Sequence, residues 1–201
     1  YKRALVRLQK EDNAGASEDV AVLIRRSPKS PAANYVQGII HLREDDLKAA
    51  TAAFDLAQTD GDRYPMSLFY LATAHDKLGN SAQAEDFAYR YLSIAPDSAP
   101  GRKLLANMKL RAGEGAEAEE LMRAVVEASP EDVDALNLLS GALIKQGKTE
   151  EALTLLAKVA SLQPDSPEAQ ARLGAGLLAS GQVASSFEHI ETVFWTLDDI
   201  V

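Results

Sequence analysis

Three observations on the sequence predict an all-α chain, a right-handed α-solenoid of stacked helix-turn-helix units. Pro28, Pro96, Pro130 and Pro164 are separated by 68, 34 and 34 residues, so a 34-residue period punctuates the chain. The two phases without proline hold Asp62 and Asp198, which are turn formers themselves. Two columns at the same period are small throughout: Ala16, Ala50, Ala84, Ala118, Ala152 and Ser186, and Ala4, Gly38, Ala72, Ala106, Ser140 and Gly174. Small residues are what two helices require where their backbones cross closely. Bulky apolar residues keep to other columns, Leu71, Leu105, Leu139 and Leu173 in one and Val20, Phe54, Met122, Leu156 and Ile190 in another. These fill the space between helices.

Composition agrees. The chain has 201 residues, of which 46% are hydrophobic but only 6% aromatic, and alanine and leucine recur between single prolines. That pattern favours short helices joined by tight turns over strands.

Each unit reads as a first helix, a glycine or acidic turn, and a second helix ended by proline. In residues 133–166, Asp132 caps a helix whose Leu136, Leu139 and Leu143 share one face. Gly147 stops that helix by taking the left-handed conformation. A second helix begins near Thr149 with Glu150 and Glu151 in its first turn, where the dipole favours anions, and Leu153, Leu156 and Val159 form its apolar stripe. Pro164 ends it. The same frame divides one array spanning 1–201 into a truncated unit at 1–30 and complete units at 31–64, 65–98, 99–132, 133–166 and 167–200. No linker or low-complexity stretch interrupts it.

A small residue at the eighth position of the unit, alanine at the twentieth, a bulky apolar residue at the twenty-fourth and proline at the thirty-second resemble the tetratricopeptide repeat, over essentially the whole chain. The units depart from that family in lacking a tryptophan near their starts and in placing His41 and His75 where tyrosine is common. The resemblance implies a non-catalytic scaffold that binds a protein or peptide in a concave groove lined by the first helices. Residues 30–42 and 100–132 further resemble bacterial tetratricopeptide proteins of exopolysaccharide assembly and the PEP-CTERM sorting system, which implies export to the periplasm or envelope. The alternative is a substrate-docking or regulatory arm of an enzyme whose catalytic domain lies outside this segment.

Charge and residue types narrow the function classes. A formal charge of −9 argues against a nucleic-acid or anionic-membrane surface. Cysteine is absent, which removes disulfides, thiolate chemistry and cysteine-ligated zinc. No apolar run reaches the ~18 residues needed to span a bilayer. The chain begins at Tyr1 without a signal-peptide pattern, which reads as a segment whose targeting sequence lies outside it; periplasm, envelope and cytoplasm all stay open.

Within this acidic chain Arg43, Lys77, Arg111 and Lys145 recur every 34 residues, late in four successive first helices. They read either as cations that offset helix dipoles or as a ladder facing an acidic partner. Lys103, Asn107 and Arg172 resemble part of the clamp by which some co-chaperone repeats hold a C-terminal carboxylate, but Leu138 stands where that clamp has a second asparagine, with Asn137 one residue off. Glu168 stands where it has a second lysine and would repel a carboxylate. The expected groove residues are therefore Arg43, Lys77, Lys103, Asn107, Arg111, Asn137, Lys145 and Arg172.

Ala142 to Thr149 looks like a phosphate-binding loop without its first glycine, but it joins two helices rather than a strand and a helix. His41 and His75 share a phase without further ligands, and no catalytic triad can be assembled, so neither metal, cofactor nor catalytic residue is expected. Phe194, Trp195, Leu197, Ile200 and Val201 leave the last unit without a polar cap, which reads as continuation of the array or as end-to-end self-association.

Overall fold

The computed structural model describes residues 1–58, 63–182 and 186. Those residues hold eleven α-helices and no strand: α1 Lys2–Gln9, α2 Asn13–Arg26, α3 Pro31–Arg43, α4 Leu47–Ala57, α5 Met66–Lys77, α6 Ser81–Ile94, α7 Ala99–Ala112, α8 Gly115–Ala128, α9 Val133–Lys145, α10 Thr149–Leu162 and α11 Pro167–Ala179. Asp62, Ile190, Phe194, Trp195, Leu197, Asp198, Ile200 and Val201, singled out in the sequence, lie outside the described residues.

The helices form two compact units, residues 1–101 and residues from 102 onward. In the first, α1 and α2, α3 and α4, and α5 and α6 pack as hairpins, and each hairpin packs on the next. Its core joins Ala4, Leu8, Ala16, Val20, Val36 and Ile40 to a second cluster of Ala50, Phe54 and Leu71. In the second unit α8 packs on α9, α9 on α10 and α10 on α11. Its core runs from Leu136, Val159 and Ala169 to Leu153, Leu156, Leu173 and Leu177.

Packing explains the columns. Ala16, Ala50, Ala84, Ala118, Ala152 and Ser186 are all buried, as are Ala4, Gly38, Ala72, Ala106, Ser140 and Gly174. A Cβ added to Gly38 would stand 2.6 Å from the Phe54 ring, so the small residue exists to admit the large one on the neighbouring helix.

The turns repeat as well. Glu11, Asp45, Gly79, Gly113, Gly147 and Gly181, one per 34 residues, all take positive φ between 57° and 85°. At each, the next residue's N–H returns to a carbonyl of the last helical turn, as Lys148 N–H does to Leu143 at 2.9 Å and Asp46 N–H to His41 at 2.9 Å. This is a Schellman closure used six times. Five helix starts are capped by a short polar side chain: Asp12, Ser30, Asp46, Asp132 and Ser166 each accept from the backbone N–H three residues on.

Candidate functional site

In the second unit α7, α9 and α11 face a groove of about 780 Å³. Four of the eight expected residues line it: Lys103 and Asn107, one turn apart on α7, Asn137 on α9, and Arg172 on α11. Leu104, Leu110, Val133 and Leu138 supply its apolar walls.

Both groove cations are already matched by carboxylates. Lys103 Nζ donates to Asp132 Oδ2 at 3.0 Å and stands 3.5 Å from Asp134. Burial by itself would lower the Lys103 pKa, but the bonds and charges of Asp132 and Asp134 outweigh it and raise the ammonium above its ordinary value. Burial would likewise raise Asp132, and its bonds from the Ala135 N–H and Lys103 bring the carboxyl below the ordinary range instead. Asp132 thereby does two jobs, capping α9 and holding the α7 lysine. On α11, Arg172 Nη2 donates to Glu168 Oε1 at 2.8 Å, one helical turn away.

The two asparagines differ from the cations in being unspent. Asn107 is exposed in the groove. Asn137 is more telling, because its Oδ1 is buried and has no hydrogen-bond partner among the described residues. An acceptor in that state costs free energy until a donor arrives.

The remaining expected residues lie elsewhere. Arg43 and Lys77 belong to the first unit, where Arg43 Nη1 donates to the Leu8 carbonyl and to Asn13 Oδ1, both at 2.9 Å. Arg43 thus satisfies a terminal carbonyl of α1. Lys77 Nζ is 3.5 Å from Asp45. Arg111 and Lys145 are exposed in the second unit and do not line the groove.

Ala142 to Thr149 connects α9 to α10, and its Gln146 and Lys148 side chains both donate to Glu119. His75 stacks on Phe87 with ring centroids 5.4 Å apart, and His41 lies 3.5 Å from Glu44. Among the described residues no group of three or more histidine, aspartate or glutamate side chains could hold a metal ion. No helix among them is long and apolar enough to cross a membrane.

Two features escaped the sequence reading. A second, apolar cavity of about 350 Å³ opens beside the groove between α9, α10 and α11, and Asn137, Gly141 and Arg172 line both spaces. Its signal was the run of small residues Gly174, Ala175, Gly176 and Ala179 on one helix. In the first unit Tyr35 stacks on Tyr64 at 5.2 Å, while Tyr70 stacks on Phe54 at 5.2 Å and meets Phe69 edge-on. Their signal was distribution, since all six tyrosines precede residue 92 although aromatics are only 6% overall. Tyr35 has its phenol pushed up to about 12, chiefly by burial and then by the neighbouring Tyr70.

Repeat packing, six matching turns and a groove along the first helices are the properties of one family. Residues 1–65, 66–98 and 109–185 each match a tetratricopeptide repeat family. The chain belongs to the tetratricopeptide repeat family. Similar solved structures include a MamA fragment from Desulfovibrio magneticus, with a TM-score of 0.80 at 19% identity over 84% of this chain and 96% of the other. A tetratricopeptide repeat protein from Parabacteroides merdae has a TM-score of 0.78 at 18% identity, covering 96% of this chain and 77% of its own. YrrB, described as a tetratricopeptide repeat protein with an unusual peptide-binding site, has a TM-score of 0.75 at 15% identity over 87% and 90%. At these identities the likeness is one of tetratricopeptide fold. No curated protein matches the sequence.

Proposed function

We propose that the chain is a non-catalytic protein-interaction scaffold whose working surface includes the groove of the second unit. The observation that carries this reading is the groove itself. Three successive first helices converge on one open space of about 780 Å³, and Lys103, Asn107, Asn137 and Arg172 face it together. Amide side chains along such a groove suit a peptide backbone, which offers donors and acceptors at every residue. The pairing of Lys103 with Asp132 and Asp134, and of Arg172 with Glu168, leaves little uncompensated positive charge. An acidic partner therefore gains less here than the basic residues alone suggest, and a segment of low net charge fits better. The resemblance of residues 30–42 and 100–132 to exopolysaccharide-assembly proteins supports placing this scaffold at the bacterial envelope.

Site-specific photo-crosslinking tests the surface. A crosslinker at Asn107 or Leu138 should capture a bound partner, and one at the exposed Glu127 of α8, which does not line the groove, should not. Equal capture from all three positions, or capture from Glu127 alone, would overturn the assignment.

A further inference from the structure

We propose that the second unit selects its peptide through the apolar cavity beside the groove: an aliphatic side chain of leucine, isoleucine or methionine size enters between α9, α10 and α11, past the Asn137 side chain that borders both spaces. This rests on the groove being the partner surface and adds what the partner must carry.

The cavity is built for a side chain. Leu153 and Leu156, 7% and 4% exposed, form its floor, and Ile144, Ala152, Ala175 and Ala179 its walls. Gly176 is what lets the floor close, because a Cβ there would stand 2.9 Å from Leu153 Cδ2 and 3.0 Å from Leu156 Cδ1. An apolar cavity of ~150 Å³ already admits benzene. The space here is about 350 Å³, enough for a branched or linear aliphatic group.

Repeat comparison shows why the cavity occurs here. One period earlier, between α7 and α9, Leu110 reaches Gly141, lying 3.7 Å from where that residue's Cβ would be. Its counterpart Ile144 is instead 47% exposed and borders the cavity. A half-exposed isoleucine edge above a leucine floor is an apolar surface that a ligand side chain would cover.

The polar rim fixes the ligand's form. Asn137 lines both spaces, so a peptide lying in the groove turns a side chain inward beside an amide whose Oδ1 has no partner among the described residues. Arg172 lines both spaces as well but is bound to Glu168, so the mouth offers no bare cation to an acidic residue. A neutral aliphatic residue is the chemistry that remains.

The test is selection of a randomised, terminally blocked peptide library displayed against the whole chain, followed by affinity measurement of individual peptides. The expected result is enrichment of leucine, isoleucine or methionine at one position. Those peptides should bind at least tenfold more weakly when that residue becomes glycine, and at least tenfold more weakly to Ala175→Leu, which fills the cavity from an exposed position. Ala179→Leu fills it from the next turn and guards against a local effect of the first change. Asn137→Ala should weaken the same peptides severalfold. Peptides that bind through Asn107 but show no aliphatic preference, or ignore both leucine variants, would overturn the pocket while leaving the groove as the partner surface. Absence of any groove-binding peptide would overturn both. A change in the chain's own association state on Ala175→Leu would make a second copy the occupant and refute the peptide.

Discussion

Replacing Glu119 by glutamine removes one charge from a carboxylate that three side chains hold. Its side chain is only 10% exposed and accepts from Lys148 Nζ at 2.7 Å, Arg123 Nε at 2.8 Å and the Gln146 amide, which ties α8 to the turn between α9 and α10. These contacts, the Lys148 bond foremost, hold the carboxyl down to about 2 against the opposing effect of burial. A hydrogen bond to a charged group contributes ~1.5–3 kcal/mol. Because Lys148 and Arg123 are 45% and 47% exposed and solvent screens them, the expected loss for Glu119→Gln at pH 7 is about 1–2 kcal/mol. The sign with pH follows from a folded-state pKa below the unfolded value. The stabilisation is complete above the ordinary carboxylate range near 4.5 and is lost as pH falls toward about 2. Urea unfolding followed by circular dichroism should therefore show the gap between native and variant at pH 7 shrink by more than half at pH 3. An equal gap at both pH values would show that Glu119 contributes shape and not charge, and no gap at pH 7 would refute the network as a source of stability.

Three further outcomes follow from the fold. Gly147→Ala should destabilise by roughly 1 kcal/mol through the backbone alone, since φ is +74° and nothing lies within 4 Å of the new Cβ; the reciprocal Glu11→Gly, at φ +63°, should stabilise by a similar amount, both read by thermal unfolding. Ala118→Leu should cost about 1–3 kcal/mol in denaturant unfolding, because Ala118 is 0% exposed at a close helix crossing, and an unchanged midpoint would contradict that packing. Arg43→Gln should cost about 1 kcal/mol and raise amide hydrogen exchange at the end of α1, where the Leu8 carbonyl keeps the Glu11 N–H but loses its second donor, while unaltered exchange would return Arg43 to the surface cations.

The fold was legible because packing repeats and the packing columns are the ones that periodicity exposes. Ala16 to Ser186 and Ala4 to Gly174 are small and buried at every repeat, where helices close on one another as Gly38 of α3 does on Phe54 of α4. The turn column is legible as glycine or acidic in every unit, with the left-handed conformation expected at Gly147. That Glu11 and Asp45 take the same left-handed conformation was hidden by residue type, since side chains of their kind rarely adopt it. The basic column shares that regularity, but its members differ in their surroundings. Arg43 shares its phase with Lys145 but has a carbonyl and an amide within reach, so equal spacing did not mean equal exposure. Lys103 and Arg172 were legible as groove residues, yet their partners Asp132 and Glu168 decide what the groove can hold, and Asp132 had been assigned only to capping α9.

Specificity in such an array must come from the columns that do not repeat. The fifth position of successive units runs Tyr35, Phe69, Lys103, Asn137 and Ala171, and the ninth runs Ile39, Thr73, Asn107, Gly141 and Ala175. These columns vary where the small columns do not, and each member's neighbours vary with it: Tyr35 meets Tyr64 and Tyr70, while Gly141 meets Leu110. The fifth position contributes Tyr35 and Phe69 to an aromatic cluster in the first unit, and in the second Asn137 and Ala175, from the fifth and ninth, border the apolar cavity. Periodicity therefore separates the residues into those that build the scaffold and those free to read a partner. It is silent on what the second set reads, because that depends on local matching of charge and volume. Here each groove cation has its carboxylate, and the proposed selection therefore rests on the space above Leu153 and Leu156 that Asn137 borders.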